Sequence, residues 1–235
     1  FIIYVNMLTW PVTSIGWVTS IVQTAAASQK RINEFLSEKN NILSKKEIRR
    51  KIVGDISFQN VSFKYKKQKA LDNINFDIKN GDFLGIIGAV GSGKTTILQL
   101  ICRFLNVENG KIFIDNEPIE NYDVHYLRNF VSYVPQESFL FSDTIRNNLL
   151  FGKASASDLE LLDIIESVCM THDISKFEHG LETYIGERGV TLSGGQKQRL
   201  NIARALLKKS SILLIDDSLS NIDVDNEKKI LYNIY

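Results

Sequence analysis

The chain has 235 residues, 44% of them hydrophobic and 23% charged, which suffices for one large domain with or without a small attachment. Its 28 basic and 27 acidic residues leave a net charge of +1, so the composition gives no reason to expect nucleic acid as a partner. Cys102 and Cys169 lie in apolar helical patterns without metal-ligand spacing, and we interpret them as reduced thiols of the core.

The N-terminal segment carries no charged residue before Lys30 and Arg31. At about 1.5 Å per residue it is long enough, as a helix, to cross a bilayer. Polar residues dilute it, and Pro11 and Gly16 interrupt it, which is typical of a helix packed among others. The sequence predicts a transmembrane helix over residues 1–36, with its charged end in the cytosol. A buried helix of a soluble protein is the alternative.

Two further features are the segment that follows this helix and the two ends of the sequence. Residues 37–54 form a linker whose first part is rich in basic residues. We expect it to be solvated, and contact with anionic lipid headgroups is the alternative. Because the chain begins with Phe1 and ends within a helical pattern, we also expect a piece of a longer polypeptide.

From residue 55 onward the pattern is that of an α/β domain. Apolar alternation and short apolar runs predict strands at residues 56–65, 75–78, 83–87, 111–115, 130–134 and 211–216. A helix is predicted at residues 95–105, and the chain from 138 to 208 is predicted to be mainly helical, with strong periodicity over 158–170. Strand, glycine loop, helix and return strand indicate a mostly parallel core sheet with sites at the carboxyl ends of its strands.

A phosphate-binding loop is the first functional motif. Residues 88–95 read Gly-Ala-Val-Gly-Ser-Gly-Lys-Thr. The glycines let backbone N–H groups turn toward a polyphosphate, and the following helix directs its positive end at the same anion. Lys94 supplies a charge for the β- and γ-phosphates, and Thr95 supplies a hydroxyl for Mg²⁺. The predicted nucleotide contacts are Gly88, Gly91, Ser92, Gly93, Lys94, Thr95 and Thr96.

A carboxylate follows the apolar run at residues 212–215. Many buried strands end in Asp, but next to a phosphate loop this pattern resembles a Walker B strand. Asp216 would then hold Mg²⁺ through water.

The third motif is Leu-Ser-Gly-Gly-Gln at residues 192–196, which opens a predicted helix. Ser193 can cap this helix, and Gly194 and Gly195 expose N–H groups to an anion. An ordinary serine-capped helix is the alternative. The continuation as Lys-Gln-Arg, with Ala-Arg-Ala-Leu beyond, resembles the signature of ATP-binding-cassette (ABC) proteins. The resemblance implies that residues 193–196, ending in Gln196, contact ATP held by an opposing subunit, and that ATP joins a head-to-tail dimer.

The same resemblance assigns smaller elements. Tyr65 matches the aromatic residue that stacks on adenine, with packing against the core or sheet edge as the alternative. Gln136 matches a glutamine that senses Mg²⁺ and contacts the membrane domain, with a surface turn as the alternative. Residues 220–223 match the D-loop of the dimer interface. Residues 186–189 match the X-loop of exporters, which importer ATPases usually lack.

The resemblance covers essentially the whole chain, more loosely over residues 1–36. It implies a P-loop ABC ATPase domain with a mostly parallel core sheet, an antiparallel edge and a helical subdomain, over residues 55–235 and truncated before the family's switch histidine. A transmembrane helix would precede it. The implied protein is a multi-pass exporter half-transporter of the cell membrane, with the nucleotide-binding domain in the cytoplasm and ATP and Mg²⁺ as cofactors.

One position departs from the family pattern. Asp217 stands where the family has the glutamate that polarises the attacking water. A side chain one methylene shorter withdraws the carboxylate by about 1.5 Å, and a misplacement of about 1 Å can cost roughly 100-fold in rate. We therefore predict slow hydrolysis at the site built on Lys94 and Asp217. Because the signature is intact, the chain resembles one half of a heterodimeric exporter.

Three functions stay open at this point. The first is an ATP-driven exporter subunit, and the second is a hydrolysis-poor regulatory half, which Asp217 favours. The third is a soluble ABC ATPase of chromosome or ribosome work, against which the uncharged N-terminal segment and the X-loop argue. A GTPase is disfavoured because no Asn-Lys-x-Asp motif is found.

Overall fold

The computed structural model describes residues 2–38, 42, 44–66, 68–186 and 191–234. It divides into two compact units, Phe1–Asn41 and Ile42–Tyr235. The described part of the first unit is one long helix, α1 (Ile2–Ser37), with Pro11 inside it. The predicted helix over residues 1–36 is thus confirmed as a helix.

The side chains of α1 are exposed or half-buried, and none is fully buried. Its threonine hydroxyls donate to carbonyl groups one turn earlier, as Thr19 does to Ile15 O at 2.8 Å. Within the ranges that the structure describes, no helix combines the length and the apolar character that crossing a membrane requires. The prediction of a span therefore finds no support in the hydropathy of α1, because its polar residues dilute the apolar ones.

An antiparallel sheet of four strands opens the second unit. Its members are β1 (Ile56–Tyr65), β2 (Gln68–Ile78), β3 (Asn109–Ile114) and β4 (Glu117–Pro118), in the order β2-β1-β3-β4. Ile56 pairs with Ile78 on one side and with Ile114 on the other. Ile56 and Phe58, and then Val61 and Phe63, are buried, so the period-2 pattern that predicted this strand is kept on either side of a register shift between Phe58 and Val61. The expected antiparallel edge is confirmed.

A parallel pair carries the other part of the site. β5 (Val131–Val134) and β6 (Ile212–Ile215) pair in parallel, with Val134 opposite Ile215. Because the two strands run the same way and stop in register, the residues that follow them lie at one edge. Gln136 and Asp216 therefore leave the sheet on the same side.

The predicted strand at residues 83–87 is not formed. These residues belong to no strand, and Phe83 and Ile87 are 66% and 99% exposed. A strand exists only through hydrogen bonds to a neighbouring strand, and no pairing of residues 83–87 occurs in the described part of the chain. An apolar run cannot reveal whether a neighbour lies beside it, which is why the prediction was wrong. Within the described ranges the parallel sheet has two strands.

The helices follow the predicted periodicity, with earlier ends. They are α2 (Lys94–Ile101), α3 (Val124–Asn129), α4 (Ile145–Leu150), α5 (Asp158–Ser167), α6 (Thr171–Lys176), α7 (Gly194–Leu207) and α8 (Val224–Ile234). Short 3₁₀ turns lie at Ile119–Asn121 and Gly180–Glu182. The helix predicted over 95–105 stops before Arg103 (φ 51°), and the periodic run 158–170 breaks at Cys169 (φ 56°). A positive φ cannot continue a right-handed helix.

Two hydrophobic cores organise the second unit. The first lies between the antiparallel sheet, α2 and residues of β5 and β6, and includes Phe58 and Leu100. The second is formed mainly by α4 to α8 and includes Leu161 and Leu200. The phosphate loop leads into α2 of the first core, whereas residues 193–196 open α7 of the second core.

The two cysteines agree in part with their predicted role as core thiols. Both are free, Cys102 is buried in the first core, and Cys169 is half-buried. Burial raises the pKa of the Cys102 thiol to about 12. Cys102 therefore stays protonated and unreactive at neutral pH.

The basic linker is paired with acidic side chains. Three ion pairs join it to the segment that leads into α3: Lys45–Glu120 at 3.0 Å, Lys46–Glu117 at 3.9 Å and Arg49–Asp123 at 2.9 Å. A bridge between Ile48 and the buried Tyr122 runs among them. The three basic side chains nevertheless remain 65–68% exposed, in keeping with the solvated linker that the sequence predicts. They lie along an acidic strip of their own domain.

Asp115 fixes the end of the linker where β1 begins. Its carboxylate accepts hydrogen bonds from the backbone N–H groups of Val53 (2.7 Å), Gly54 (3.0 Å) and Asp55 (2.9 Å). Asp115 itself adopts φ 49° in the turn between β3 and β4. One side chain therefore holds the last two linker residues and the first residue of the domain that follows.

We predict that Asp115→Ala lowers the free energy of unfolding by about 2 kcal/mol more than Asn116→Ala does, because about 1 kcal/mol is typical for each lost hydrogen bond. Asn116 is the matched control, since it has φ 63° in the same turn and its side chain makes no hydrogen bond among the described residues. Urea unfolding followed by circular dichroism measures both variants. Equal losses for the two would show that Asp115 contributes backbone conformation only.

Candidate nucleotide-binding site

The phosphate loop is shaped by glycines at two positions. Gly91 and Gly93 have φ values of 80° and 94°, a region that costs other residues strain. At Gly93 a Cβ atom would also lie 2.5 Å from the carbonyl oxygen of Ala70 and 2.7 Å from the Leu71 side chain. Conformation and space both require glycine there, and Gly93 immediately precedes α2.

Lys94 folds over the loop that precedes it. Its ammonium group donates to the carbonyl oxygens of Gly88 at 2.6 Å and Ala89 at 2.9 Å. An ammonium group has three N–H donors, so one is left for a further acceptor. The loop geometry thus holds a positive charge above the backbone N–H groups of residues 88–95, where the sequence predicts the phosphates.

Thr95 and Asp216 meet although 121 residues separate them. The Thr95 hydroxyl donates to Asp216 Oδ1 at 3.0 Å, which joins the first turn of α2 to the end of β6. Asp216 is only 6% exposed. Two of the three residues that the sequence assigned to Mg²⁺, Thr95 and Asp216, are therefore adjacent, whereas Gln136 is not part of this contact.

Tyr133 is a site residue that the sequence analysis missed. Its hydroxyl donates to Asp216 Oδ2 at 3.0 Å, so both carboxylate oxygens of Asp216 are engaged. Burial, together with this hydrogen bond, raises the pKa of Tyr133 well above its usual range, and the phenol keeps the proton it donates. Both strands were predicted, but their register, which places Tyr133 beside Asp216, is not written in either strand.

These residues fit a magnesium ion bound together with a triphosphate. Thr95 and Asp216 offer oxygen ligands of the kind that Mg²⁺ prefers. No cluster of three or more His, Cys, Asp or Glu side chains that could hold a metal occurs among the described residues. A cation here would therefore depend on phosphate oxygens for further ligands, as is usual for Mg²⁺ with nucleotides.

Gln136 and Asp217 lie at the same sheet edge but do not contact the loop. Gln136 is exposed, and its side chain makes no hydrogen bond to a described residue. Asp217 is exposed as well, with φ 49°, and only its backbone oxygen is bonded, to Ser220. Asp tolerates this left-handed conformation better than most residues. Both carboxamide and carboxylate are thus free to meet water or phosphate.

Tyr65 lies against the helix that follows the loop. Its hydroxyl donates to Gln99 Oε1 at 3.0 Å and is 3.4 Å from the buried Thr96 Oγ1. Its ring packs edge-on against Phe63, with centroids 5.0 Å apart, yet 45% of the residue remains exposed. The predicted adenine contact is thus near the loop. Thr96, which the sequence predicts as a nucleotide contact, is 4% exposed.

The predicted cap at Ser193 is present as a reciprocal pair. Gln196 N donates to Ser193 Oγ at 3.3 Å, and Ser193 N donates to Gln196 Oε1 at 2.9 Å. Gly194 has nothing within 4 Å of a Cβ position, and at Gly195 a Cβ atom would lie 3.0 Å from the carbonyl oxygen of Asn221. The signature segment, residues 193–196, therefore packs against the D-loop.

Two parts of the predicted nucleotide site stay apart within one chain. No hydrogen bond or ion pair of the described residues joins residues 88–96 to the signature segment. The two belong to helices of different cores. Of the predicted X-loop, residues 187–189 lie outside the described residues.

Comparison with known proteins gives a consistent result. The family model for ABC transporters matches residues 71–220. The chain is 40% identical, over 100% of its length, to the probable multidrug resistance ABC transporter ATP-binding/permease protein YheI of Bacillus subtilis, of which it covers 40%. It is 41% identical to the multidrug resistance-like ATP-binding protein MdlA of Buchnera aphidicola, over 100% of this chain and 41% of that protein.

The fold also matches a solved structure, that of a bacterial Atm1-family ABC exporter with ATP bound. The TM-score is 0.84 at 31% identity, over 98% of this chain and 41% of the exporter chain. A match over 98% of the chain includes most of α1. The chain spans about 40% of the length of the relatives named above.

We predict that Lys94→Met weakens ATP binding at least about tenfold, because a charge-assisted hydrogen bond typically contributes about 1.5–3 kcal/mol. Titration with a fluorescent ATP analogue measures the affinity, and the melting temperature checks the fold. Lys69→Met is the matched control, since Lys69 pairs with Asp72 on β2, outside the loop. Affinity of the Lys94 variant within twofold of the wild type would contradict the assignment.

Proposed function

The chain belongs to the ABC transporter family, and from this premise we propose that it is the ATP-binding part of a membrane exporter that couples ATP binding and hydrolysis to transport. The observation that carries the proposal is the contact between Thr95 and Asp216, which places a hydroxyl and a carboxylate beside a glycine loop. The Lys94 ammonium group is hydrogen-bonded to the same loop. The names of the relatives, which include multidrug resistance and exporter proteins, support the transport role.

In this proposal the loop binds the triphosphate of ATP. The backbone N–H groups of residues 88–95 and the N-terminus of α2 surround the phosphates, and Lys94 supplies the charge. Thr95 and Asp216 hold Mg²⁺, which neutralises charge on the phosphate oxygens. Tyr65 lies near enough to the loop to meet the adenine ring.

The second half of the site comes from another subunit. The signature segment is exposed at Ser193 and Gly194, and the N-terminus of α7 presents backbone N–H groups suited to a phosphate. Because the described residues show no hydrogen bond or ion pair between this segment and the loop, we propose that each ATP is shared between two subunits arranged head to tail. We propose a second ABC half-transporter as the partner, and Asp217 favours a different subunit over a second copy.

Hydrolysis uses residues at the edge of the parallel sheet. Asp217 takes the position of the base that orients the attacking water, and Gln136 faces the same edge after β5. The Asp217 carboxylate is one methylene shorter than the family's glutamate, so the chain's own site turns over slowly. This shortfall also supports the second candidate, a regulatory half whose ATP binding alone controls a catalytic partner.

The proposal divides the protein as the sequence analysis did. Residues 1–36 belong to the end of a transmembrane part, residues 37–54 form the linker, and residues 55–235 form the nucleotide-binding domain on the cytoplasmic side of the cell membrane. The ion pairs of the linker attach it to the nucleotide-binding domain.

We predict that Asp217→Glu raises the rate of ATP hydrolysis at least about tenfold, because the longer side chain returns the carboxylate toward the attacking water. Phosphate release by the purified protein, alone and with a candidate partner subunit, is the measurement. Asp217→Asn is the matched control and should abolish the residual activity. A wild-type protein that already turns over as fast as the glutamate variant would contradict the slow-site assignment.

We predict that ATP-dependent association requires the loop of one subunit and the signature of the other. Gly194→Glu introduces a negative charge at an open position and should weaken association at least about tenfold, while the neutral, equally large Gly194→Gln is the control. Mixing Lys94→Met subunits with Gly194→Glu subunits leaves one composite site free of both changes. The mixture should therefore associate better than either variant alone in sedimentation at saturating ATP and Mg²⁺.

Two outcomes would overturn the shared-site proposal. One is the absence of ATP-dependent association of the chain, both with itself and with a second half-transporter. The other, where the chain does associate with itself, is a mixture that associates no better than its components. Every variant also carries Asp217→Asn, so that ATP hydrolysis does not dissociate the complexes during the measurement.

A further inference from the structure

The carboxylate of Asp173, a residue of the helical subdomain, accepts a hydrogen bond from the signature segment. Asp173 lies in the first turn of α6. Its Oδ1 accepts a hydrogen bond from Gln196 Nε2 at 2.8 Å, and its Oδ2 accepts one from an Arg199 guanidinium nitrogen at 2.9 Å. Gln196 and Arg199 are three residues apart on α7 and therefore share one helix face.

The bond to Asp173 fixes the orientation of the Gln196 amide. A glutamine side chain has one end that donates and one that accepts, whereas a carboxylate only accepts. The amino end must therefore face Asp173, and the carbonyl end is directed at the backbone N–H of Ser193, which it meets at 2.9 Å. With the amide reversed, two donors would face each other at Ser193.

The orientation extends to the Ser193 hydroxyl. Its oxygen accepts the hydrogen bond from Gln196 N, and it donates to no described residue. Ser193 is exposed, so its hydroxyl proton is left for an external acceptor. A series of directed hydrogen bonds thus runs from Asp173 through Gln196 to Ser193, whose hydroxyl contacts the partner's nucleotide in the proposed function.

Arg199 keeps Asp173 from turning away. Its residue is 9% exposed, and it also donates to the carbonyl oxygen of Cys169 at 2.8 Å. Asp173 is its ion-pair partner among the described residues. Turning the Asp173 carboxylate away would leave the buried Arg199 guanidinium without this ion-pair partner. The ion pair therefore keeps the second oxygen of Asp173 in place.

We propose that Asp173 is a positioning residue for the signature segment. By accepting from Gln196 and Arg199 together, it sets the direction of the Gln196 amide and through it the cap and hydroxyl of Ser193. This inference rests on the proposed function, in which Ser193 meets the ATP of the partner. It adds a residue of the helical subdomain to the composite site.

The donor-to-acceptor direction of these hydrogen bonds gives a test by reciprocal substitution. In Asp173→Asn the charged Arg199 takes the one remaining acceptor, so the new amide directs its N–H at Gln196. Gln196 then turns over, and its own N–H faces the N–H of Ser193. In Asp173→Asn combined with Gln196→Glu, the asparagine N–H instead donates to one oxygen of the carboxylate introduced at position 196. The other oxygen of that carboxylate accepts from the Ser193 N–H, and the series of hydrogen bonds is restored.

The first measurement is hydrogen exchange of the full chain, read by mass spectrometry. Asp173→Asn should accelerate exchange in the segment 191–197 about tenfold, because the cap bonds protect the amides of Ser193 and Gln196. The double variant should return it to within about threefold of the wild type. Exchange in residues 88–96 should not change, which separates loss of the cap from general unfolding.

The second measurement is ATP-dependent association in the Asp217→Asn background. Asp173→Asn should weaken it about tenfold while the affinity of the isolated subunit for ATP stays unchanged. Glu160→Gln is the matched control. It changes a carboxylate that pairs with Lys153 and closes the cap of α5, and it should alter neither readout.

The outcomes distinguish this inference from the proposed function. If the unsubstituted background associates with ATP but Asp173→Asn does not weaken that association, or if the double variant fails to restore slow exchange in residues 191–197, the role of Asp173 is overturned and the shared site stands. If exchange in residues 191–197 is unaffected, the inference fails whatever the association shows. If the background itself does not associate, the proposed function fails, and with it any role of Asp173 toward a partner's ATP.

Discussion

The hydrogen bond between Thr95 and Asp216 is the contact on which the rest of the site depends. It ties the first turn of α2, and with it the glycine loop, to the end of β6. Tyr133 from β5 takes the other carboxylate oxygen, so three elements converge on one buried group. In the proposed function this carboxylate holds Mg²⁺. Because both neighbours already fix it, it needs little reorganisation when cation and phosphate arrive, which lowers the cost of binding.

The proposed need for a second subunit follows from where the two halves of the site lie. The loop lies on the core that contains the antiparallel sheet, whereas α7 is a central helix of the other core. Each helix N-terminus is fixed by the packing of its own core and cannot move toward the other without disrupting it. Closing the phosphates from both sides is therefore proposed to bring two subunits together, and ATP becomes part of their interface.

Local chemistry was readable from the sequence, and long-range register was not. The glycines of the loop, the cap at Ser193 and the strand before Asp216 each follow from a few adjacent residues. Tyr133 and Asp173 were missed because their partners lie 83 and 23 residues away and depend on how strands and helices pack. The strand predicted at residues 83–87 failed for the same reason, since an apolar run describes one strand and a sheet requires its neighbour.

The backbone at Asp217 links its conformation to the proposed slow turnover. At φ 49° an aspartate is favoured over longer side chains, because its short carboxylate can hydrogen-bond locally in the left-handed region. Glutamate at this position would gain reach toward water but lose this local preference. The residue that departs from the family pattern is thus suited to the turn it occupies. Local conformational preference and catalytic reach oppose each other there, and a subunit whose main task is to bind ATP for a partner can retain the aspartate.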